Sequence, residues 1–166
     1  MPDLLRGISA TFDHVAHGTR SIKSLVPIYR DLLGGEFIGG GEVPRVGFRT
    51  VQLRFEGGGK VELLEPTEGS EFLESFFRRV GDGGLHHITY KVRDINEALE
   101  ASRLAGLEPF GVHLEDPFWQ EFFLHPRTTG GALIQLAHAG FELGVKSGPA
   151  MSLEEWLENP TSYWRG

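Results

Sequence analysis

The chain has 166 residues, no cysteine and a formal net charge of −7, with 40% hydrophobic and 11% aromatic content. That length and apolar content suffice for one compact unit with a sizeable interior; the missing cysteines exclude a disulfide framework, a thiolate metal site and a catalytic thiol. The acidic balance argues against nucleic acid as the main partner, and with no charged-then-apolar leader and no apolar run near ~20 residues, a soluble cytoplasmic protein with no membrane partner is the expectation.

Residues 1 to 10 lack a period and read as a loosely attached arm. A first strand is predicted over Thr11 to His17. Ile22, Leu25, Val26, Tyr29, Leu32 and Leu33 then recur at helical spacing, with Gly34 and Gly35 as the stop and Pro27 forcing either a kink or a late start. A strand near Glu36 to Gly40 follows. Phe48 to Phe55 alternates with Val51, Leu53 and Phe55 on one face, and after a glycine turn Lys60 to Pro66 gives another strand ended by proline. Phe72, Leu73, Phe76, Phe77 and Val80 share a helical face and predict a linker helix over 71–80.

The order then repeats. A strand from His87 places Ile88, Tyr90 and Val92 on one face and His87, Thr89 and Lys91 on the other. A helix from Asp94 to Gly106 follows, with Asp94 and Glu97 at capping-box spacing. Three strands are predicted near Pro109–His113, Phe118–His125 and Ala132–His138. Beyond them, Ser152 to Glu158 has a capping box, and Pro160, Tyr163 and Trp164 complete an extension whose tryptophans are expected to pack on the body or on a second subunit.

The duplication has a fixed offset. His14 and His87 lie 73 positions apart, as do Glu62 and Gln135, each of the latter pair flanked by apolar residues, and as do Ile22 and Ile95 at the helix starts. His14, Glu62, His87 and Gln135 are thus expected to line one concave face. Two imidazoles with oxygen donors from Glu and Gln suit one divalent ion per chain, whether Zn, Co, Ni, Mn or Mg, with room for water or substrate. The competing reading is four unrelated polar residues on a solvated sheet face. His86 is expected to face away from His87 as a core or supporting residue. Arg127 is a candidate for a substrate carboxylate or phosphate contact, beside the plainer reading of a solvated arginine.

The sequence resembles the vicinal oxygen chelate superfamily of glyoxalases, epimerases, extradiol dioxygenases, and fosfomycin and bleomycin resistance proteins, and within it the methylmalonyl-CoA epimerase branch. Phe12-Asp-His-Val, Tyr29-Arg-Asp-Leu-Leu-Gly34, Val61-Glu-Leu-Leu-Glu-Pro66, Gly84-Leu-His-His-Ile88 and Phe123 to Ile134 carry the resemblance, which runs from about Phe12 to His138. It implies an α+β fold of two β-α-β-β-β modules forming a curved, open barrel-like mixed sheet around a divalent metal, with the four residues above as ligands. Written over the chain, this is one domain, 1–166, with module 1 at about 11–66, the linker helix at 71–80, module 2 at about 84–138 and an extension over 139–166. The resemblance also implies a homodimer.

The function expected is metal-dependent proton transfer next to a carbonyl of a small acyl or keto substrate, by an isomerase, epimerase or lyase, with Glu62 as ligand and catalytic base. The alternatives are a metal-free sequestering protein of the bleomycin-resistance type, which needs no such quartet, and an extradiol-type dioxygenase, whose facial triad Gln135 breaks. Gln135 stands where an epimerase of this type has a glutamate, and Arg49 and Arg54 occupy the strand where that branch can supply a second acid. With Glu62 the one carboxylate the sequence places at the site, proton exchange is expected on one face of the substrate, making a poor methylmalonyl-CoA epimerase.

Overall fold

A computed structural model describes residues 7–139 and 151–161 and the backbone of 163–164. The predicted arm up to residue 6 and the stretch from 140 to 150 lie outside the described residues. The chain falls into two compact units, one built from Val15–His86 with the C-terminal residues, the other from His87 onward with the residues up to His14. The first strand, β1 (Ala10–Thr19), contributes to both.

In the first-repeat unit β1 leads into α1 (Ile22–Val26), followed by β2 (Glu36–Val43), β3 (Phe48–Arg54), β4 (Lys60–Pro66) and α2 (Glu74–Val80). The sheet order is β1-β4-β3-β2, with β1 parallel to β4 and the other pairs antiparallel, and a two-residue strand β9 (Tyr163–Trp164) pairs with β2. Pro27 has the effect its chemistry requires: without an N–H it ends the regular ladder, and residues Pro27–Leu32 continue as a π-helical stretch that Gly34, at φ 72°, terminates. The start of α1 has no local side-chain cap, and the carboxylate of buried Glu65, from β4, instead accepts the Ile22 N–H and engages Arg49.

The core of this unit joins Ile22, Val26, Phe37, Val51, Leu53 and Leu63 with Leu153 and Trp156 of α4 (Leu153–Glu158). The extension is therefore a structural part of the unit. Burial of each such side chain is worth ~1.5–3 kcal/mol, and Trp156, fully buried, also donates its indole N–H to Thr161 O at 2.7 Å. Position 40 has to be glycine, because a Cβ there would lie 2.8 Å from the Trp156 ring and 2.7 Å from Thr50 O. A second cluster places Leu73, Phe76 and Phe77 from α2 and its lead-in against Ala16 and Leu64.

The second-repeat unit runs β5 (Gly83–Val92, from His87 on), α3 (Ile95–Leu104), β6 (Pro109–His113), β7 (Trp119–Leu124) and β8 (Ile134–Ala139), in sheet order β5-β8-β7-β6. Asp94 caps α3 by accepting the N–H groups of Asn96 and Glu97. The helix packs Ile95, Ala98 and Leu99 on Phe122, Leu124 and Leu136.

Each unit thus repeats the expected β-α-β-β-β order, and the register repeats with it. Val15 pairs with Val61 and Ala16 with Glu62; Ile88 pairs with Ile134 and Thr89 with Gln135. The 73-residue offset therefore holds at the level of paired residues, and Ile22 and Ile95, both buried, open α1 and α3 as the offset requires. No helix among the described residues is long and apolar enough to cross a membrane.

Candidate metal centre

In the second-repeat unit strand alternation separates two faces. Leu136, Val92 and Phe122 point at α3, whereas His87 and Thr89 from β5 and Gln135 from β8 leave by the other face. Beside them lies His14, from the part of β1 that belongs to this unit. All four are buried, and the His14 and His87 rings meet edge-on with centroids 5.9 Å apart. His87 also meets the Phe123 ring edge-on at 5.8 Å.

The polar groups form a chain of hydrogen bonds. Asp13 Oδ2 lies 2.6 Å from His14 Nδ1, and Lys91 Nζ lies 3.2 Å from Asp13 Oδ1. His14 Nε2 is 3.0 Å from Thr89 Oγ1, which donates to Gln135 Oε1 at 2.6 Å. Gln135 Nε2 donates to Glu121 Oε2 at 2.6 Å, and that oxygen also accepts the indole N–H of Trp119 at 2.7 Å. A carboxylate only accepts, so Asp13 keeps a proton on His14 Nδ1 and turns the Nε2 lone pair toward Thr89. Thr89 has one hydroxyl proton and sits between two acceptors. A cation at His14 Nε2 resolves that conflict, leaving the Thr89 proton to Gln135, so the donor chemistry here fits a divalent metal. Glu121 in turn takes the amide N–H of Gln135 and leaves its carbonyl oxygen toward Thr89.

Glu62, the remaining member of the expected quartet, stands on β4 of the first-repeat unit. Its carboxylate accepts Thr50 Oγ1 at 2.8 Å, and Gln52 is its partner in register. His86 belongs to the same unit and packs edge-on against Phe76, 5.0 Å between centroids. Burial holds its pKa below the usual histidine value, Glu62 pulling it up and Arg79 down. His17 bonds Tyr29 Oη at 2.8 Å, and burial lowers the pKa of this histidine while raising that of the phenol.

Three of the four expected residues, His14, His87 and Gln135, are therefore gathered in one unit. Asp13, Thr89 and Glu121 join them without having been expected. Glu121 adds a carboxylate beside Gln135 that the sequence reading did not place there. Its signal in the sequence was faint: it lies inside an aromatic strand, and only the β7–β8 pairing brings it to Gln135. Arg127 is exposed and reaches Glu108 at 3.2 Å, in keeping with the plainer of its two readings.

A family model described as the glyoxalase/bleomycin resistance protein/dioxygenase superfamily matches residues 13–121. The chain belongs to that superfamily. Among superfamily relatives, the ethylmalonyl-CoA/methylmalonyl-CoA epimerase of Cereibacter sphaeroides is 30% identical over 131 residues, covering 75% of this chain and 94% of its own. The mitochondrial methylmalonyl-CoA epimerase of Homo sapiens is 29% identical over 133 residues, covering 76% and 73%. A Streptomyces coelicolor methylmalonyl-CoA epimerase variant, solved in complex with 2-nitronate-propionyl-CoA, shares the superfamily fold at a TM-score of 0.69 and 21% identity, covering 81% of this chain and 100% of that one.

Proposed function

We propose that the protein is a divalent-metal-dependent epimerase that moves the proton on the carbon next to the thioester carbonyl of a small branched acyl-CoA of the methylmalonyl-CoA class. The observation that carries this reading is the repeated register: Ala16 opposite Glu62 and Thr89 opposite Gln135 put two oxygen donors at equivalent places, in a chain whose relatives over three-quarters of its length are epimerases of that class. His14 and Ala16 leave β1 on one face and the partner of Ala16 is Glu62, which supports adding Glu62 to His14, His87 and Gln135 as ligands. When bound, the ion would supply Lewis acidity to the thioester and carboxylate oxygens and so favour the enolate.

The chain's own residues have the remaining tasks. Asp13 fixes the His14 ring, Thr89 fixes the Gln135 carbonyl, and Glu62, oriented by Thr50, takes the proton from carbon. The chain is further read as a cytoplasmic homodimer; light scattering showing a monomer at micromolar concentration would remove the pairing.

The function is tested by stripping the protein with a chelator, reloading it with single divalent metals, and following methylmalonyl-CoA in D2O. Solvent deuterium should enter the substrate only with metal present. The His14→Ala/His87→Ala double variant should bind no stoichiometric metal, and full occupancy in it would sink the site.

A further inference from the structure

We infer that Glu121 is a positioning residue that makes Gln135 a metal ligand: its carboxylate decides which end of the Gln135 amide faces His14 and Thr89. The inference rests on the reading of His14, His87 and Gln135 as ligands, and every residue it uses belongs to the second-repeat unit.

A glutamine amide has two ends of similar shape and opposite character, a carbonyl oxygen that accepts and an NH2 that donates, and only the oxygen can ligate a cation. Gln135 is buried with Thr89 on one side and Glu121 on the other. The Thr89 side does not by itself select the oxygen. Thr89, fully buried, has one hydroxyl proton for two acceptors, Gln135 Oε1 at 2.6 Å and His14 Nε2 at 3.0 Å. Turned over, the amide would give its N–H to Thr89 Oγ1, and Thr89 would give its proton to His14. Both acceptors would be served, and the oxygen of Gln135 would point away from the histidines.

The Glu121 side forbids that arrangement. Its Oε2 stands 2.6 Å from Gln135 Nε2, and the turned amide would set an oxygen there against a carboxylate, with no proton between them. A hydrogen bond to a charged group is roughly twice as strong as a neutral one, so the Glu121 end prevails over the Thr89 end. The carboxylate is itself braced: Trp119 Nε1 donates to the same Oε2 at 2.7 Å. Strand alternation puts Trp119, Glu121 and Phe123 on one face of β7, and Phe123 is the register partner of Gln135. The same bond raises the donor strength of Oε1, as a carboxylate behind a metal-ligating side chain does.

The experiment reads zinc affinity of the full chain against a competing chelator, with melting in chelator alongside. Glu121→Met, close in volume, removes the acceptor and lets the amide turn; affinity should fall about 10–100-fold. Adding Gln135→Glu to that variant should bring affinity back to within about threefold of the wild type or above it, because a carboxylate presents an oxygen at either end. Glu121→Gln keeps an acceptor oxygen without the charge. It should lose at least about threefold and regain it with Gln135→Glu, and this pair decides the matter if Glu121→Met does not melt cooperatively. Affinity of Glu121→Met within about twofold of the wild type would overturn the inference. So would a Glu121→Met/Gln135→Glu protein that binds zinc as weakly as Glu121→Met alone, the signature of a residue whose loss only loosens the β7–β8 pairing. A wild-type protein that takes up no stoichiometric zinc would instead refute the metal-site reading itself.

Discussion

Replacing Asp13 by Asn tests the support of the site with little change of volume. Asp13 and His14 are 8% and 1% exposed, so their 2.6 Å contact is a buried, charge-assisted hydrogen bond, a class worth about 1.5–3 kcal/mol. Lys91, with 29% of its side chain exposed, adds a smaller, solvent-screened share. At roughly 2–4 °C per kcal/mol for a chain of this size, Asp13→Asn should lower the Tm of the metal-free protein by about 3–12 °C. An amide has one acceptor oxygen where Asp13 uses two, so either His14 Nδ1–H or Lys91 loses its acceptor, and metal affinity should fall about 10–100-fold where the oxygen stays on Lys91. Calorimetric melting in chelator, followed by zinc titration against a competing chelator, reads both effects. A Tm within 1 °C of the wild type together with metal affinity within twofold would refute the assigned role of Asp13.

Glu65→Ala should destabilise the protein by about 1–3 kcal/mol, since it leaves the Ile22 N–H at the start of α1 without its acceptor; Arg49→Ala should cost less, because a third of that side chain is in water, and urea unfolding that ranks the two the other way would refute the capping role. His17 and His86 both have pKa values lowered below 6.5 by burial, so the unfolded chain takes their protons first: their contribution is intact above about pH 6.5 and is lost as pH falls through that value toward the folded pKa. His86→Gln should flatten the decline in Tm between about pH 7 and pH 5, and an unchanged slope would exclude His86 as its source.

Much of the architecture could be read without coordinates because the repeat makes the same statement twice. Glu62 and Gln135 share an offset with two histidines and two helix-opening isoleucines, and Glu62 and Gln135 occupy equivalent places in register. The supporting residues have no such echo. Thr89 is matched by Ala16 and Glu121 by Thr50, so the repeat that reveals the quartet conceals its neighbours, whose roles depend on cross-strand diagonals rather than on strand alternation. Asp13 escapes for another reason: adjacent residues on a strand are expected on opposite faces, and its bond to His14 depends on a side-chain torsion no pattern encodes. Pro27 announced a disturbance, but its outcome, a widened π-helical turn rather than a kink, was set by the Gly34 terminus and by packing of α1 on the sheet.

The chain passes between its compact units first at His14/Val15 and next at His86/His87, so the two facing imidazoles stand next to the first two of its three crossings. Everything in between, β2 to β4 with α1 and α2, can pair locally while the chain is still being made. The histidine contact instead closes a span of 73 residues, for which the length-dependent loop entropy alone is about 4 kcal/mol, and it must wait for β5, β8 and β7 to appear. On this topology the two histidines meet late in synthesis, after the ribosome has released the start of the second repeat. A fragment starting at Val15 would retain Glu62, His87 and Gln135, yet lack the imidazole that Asp13 orients.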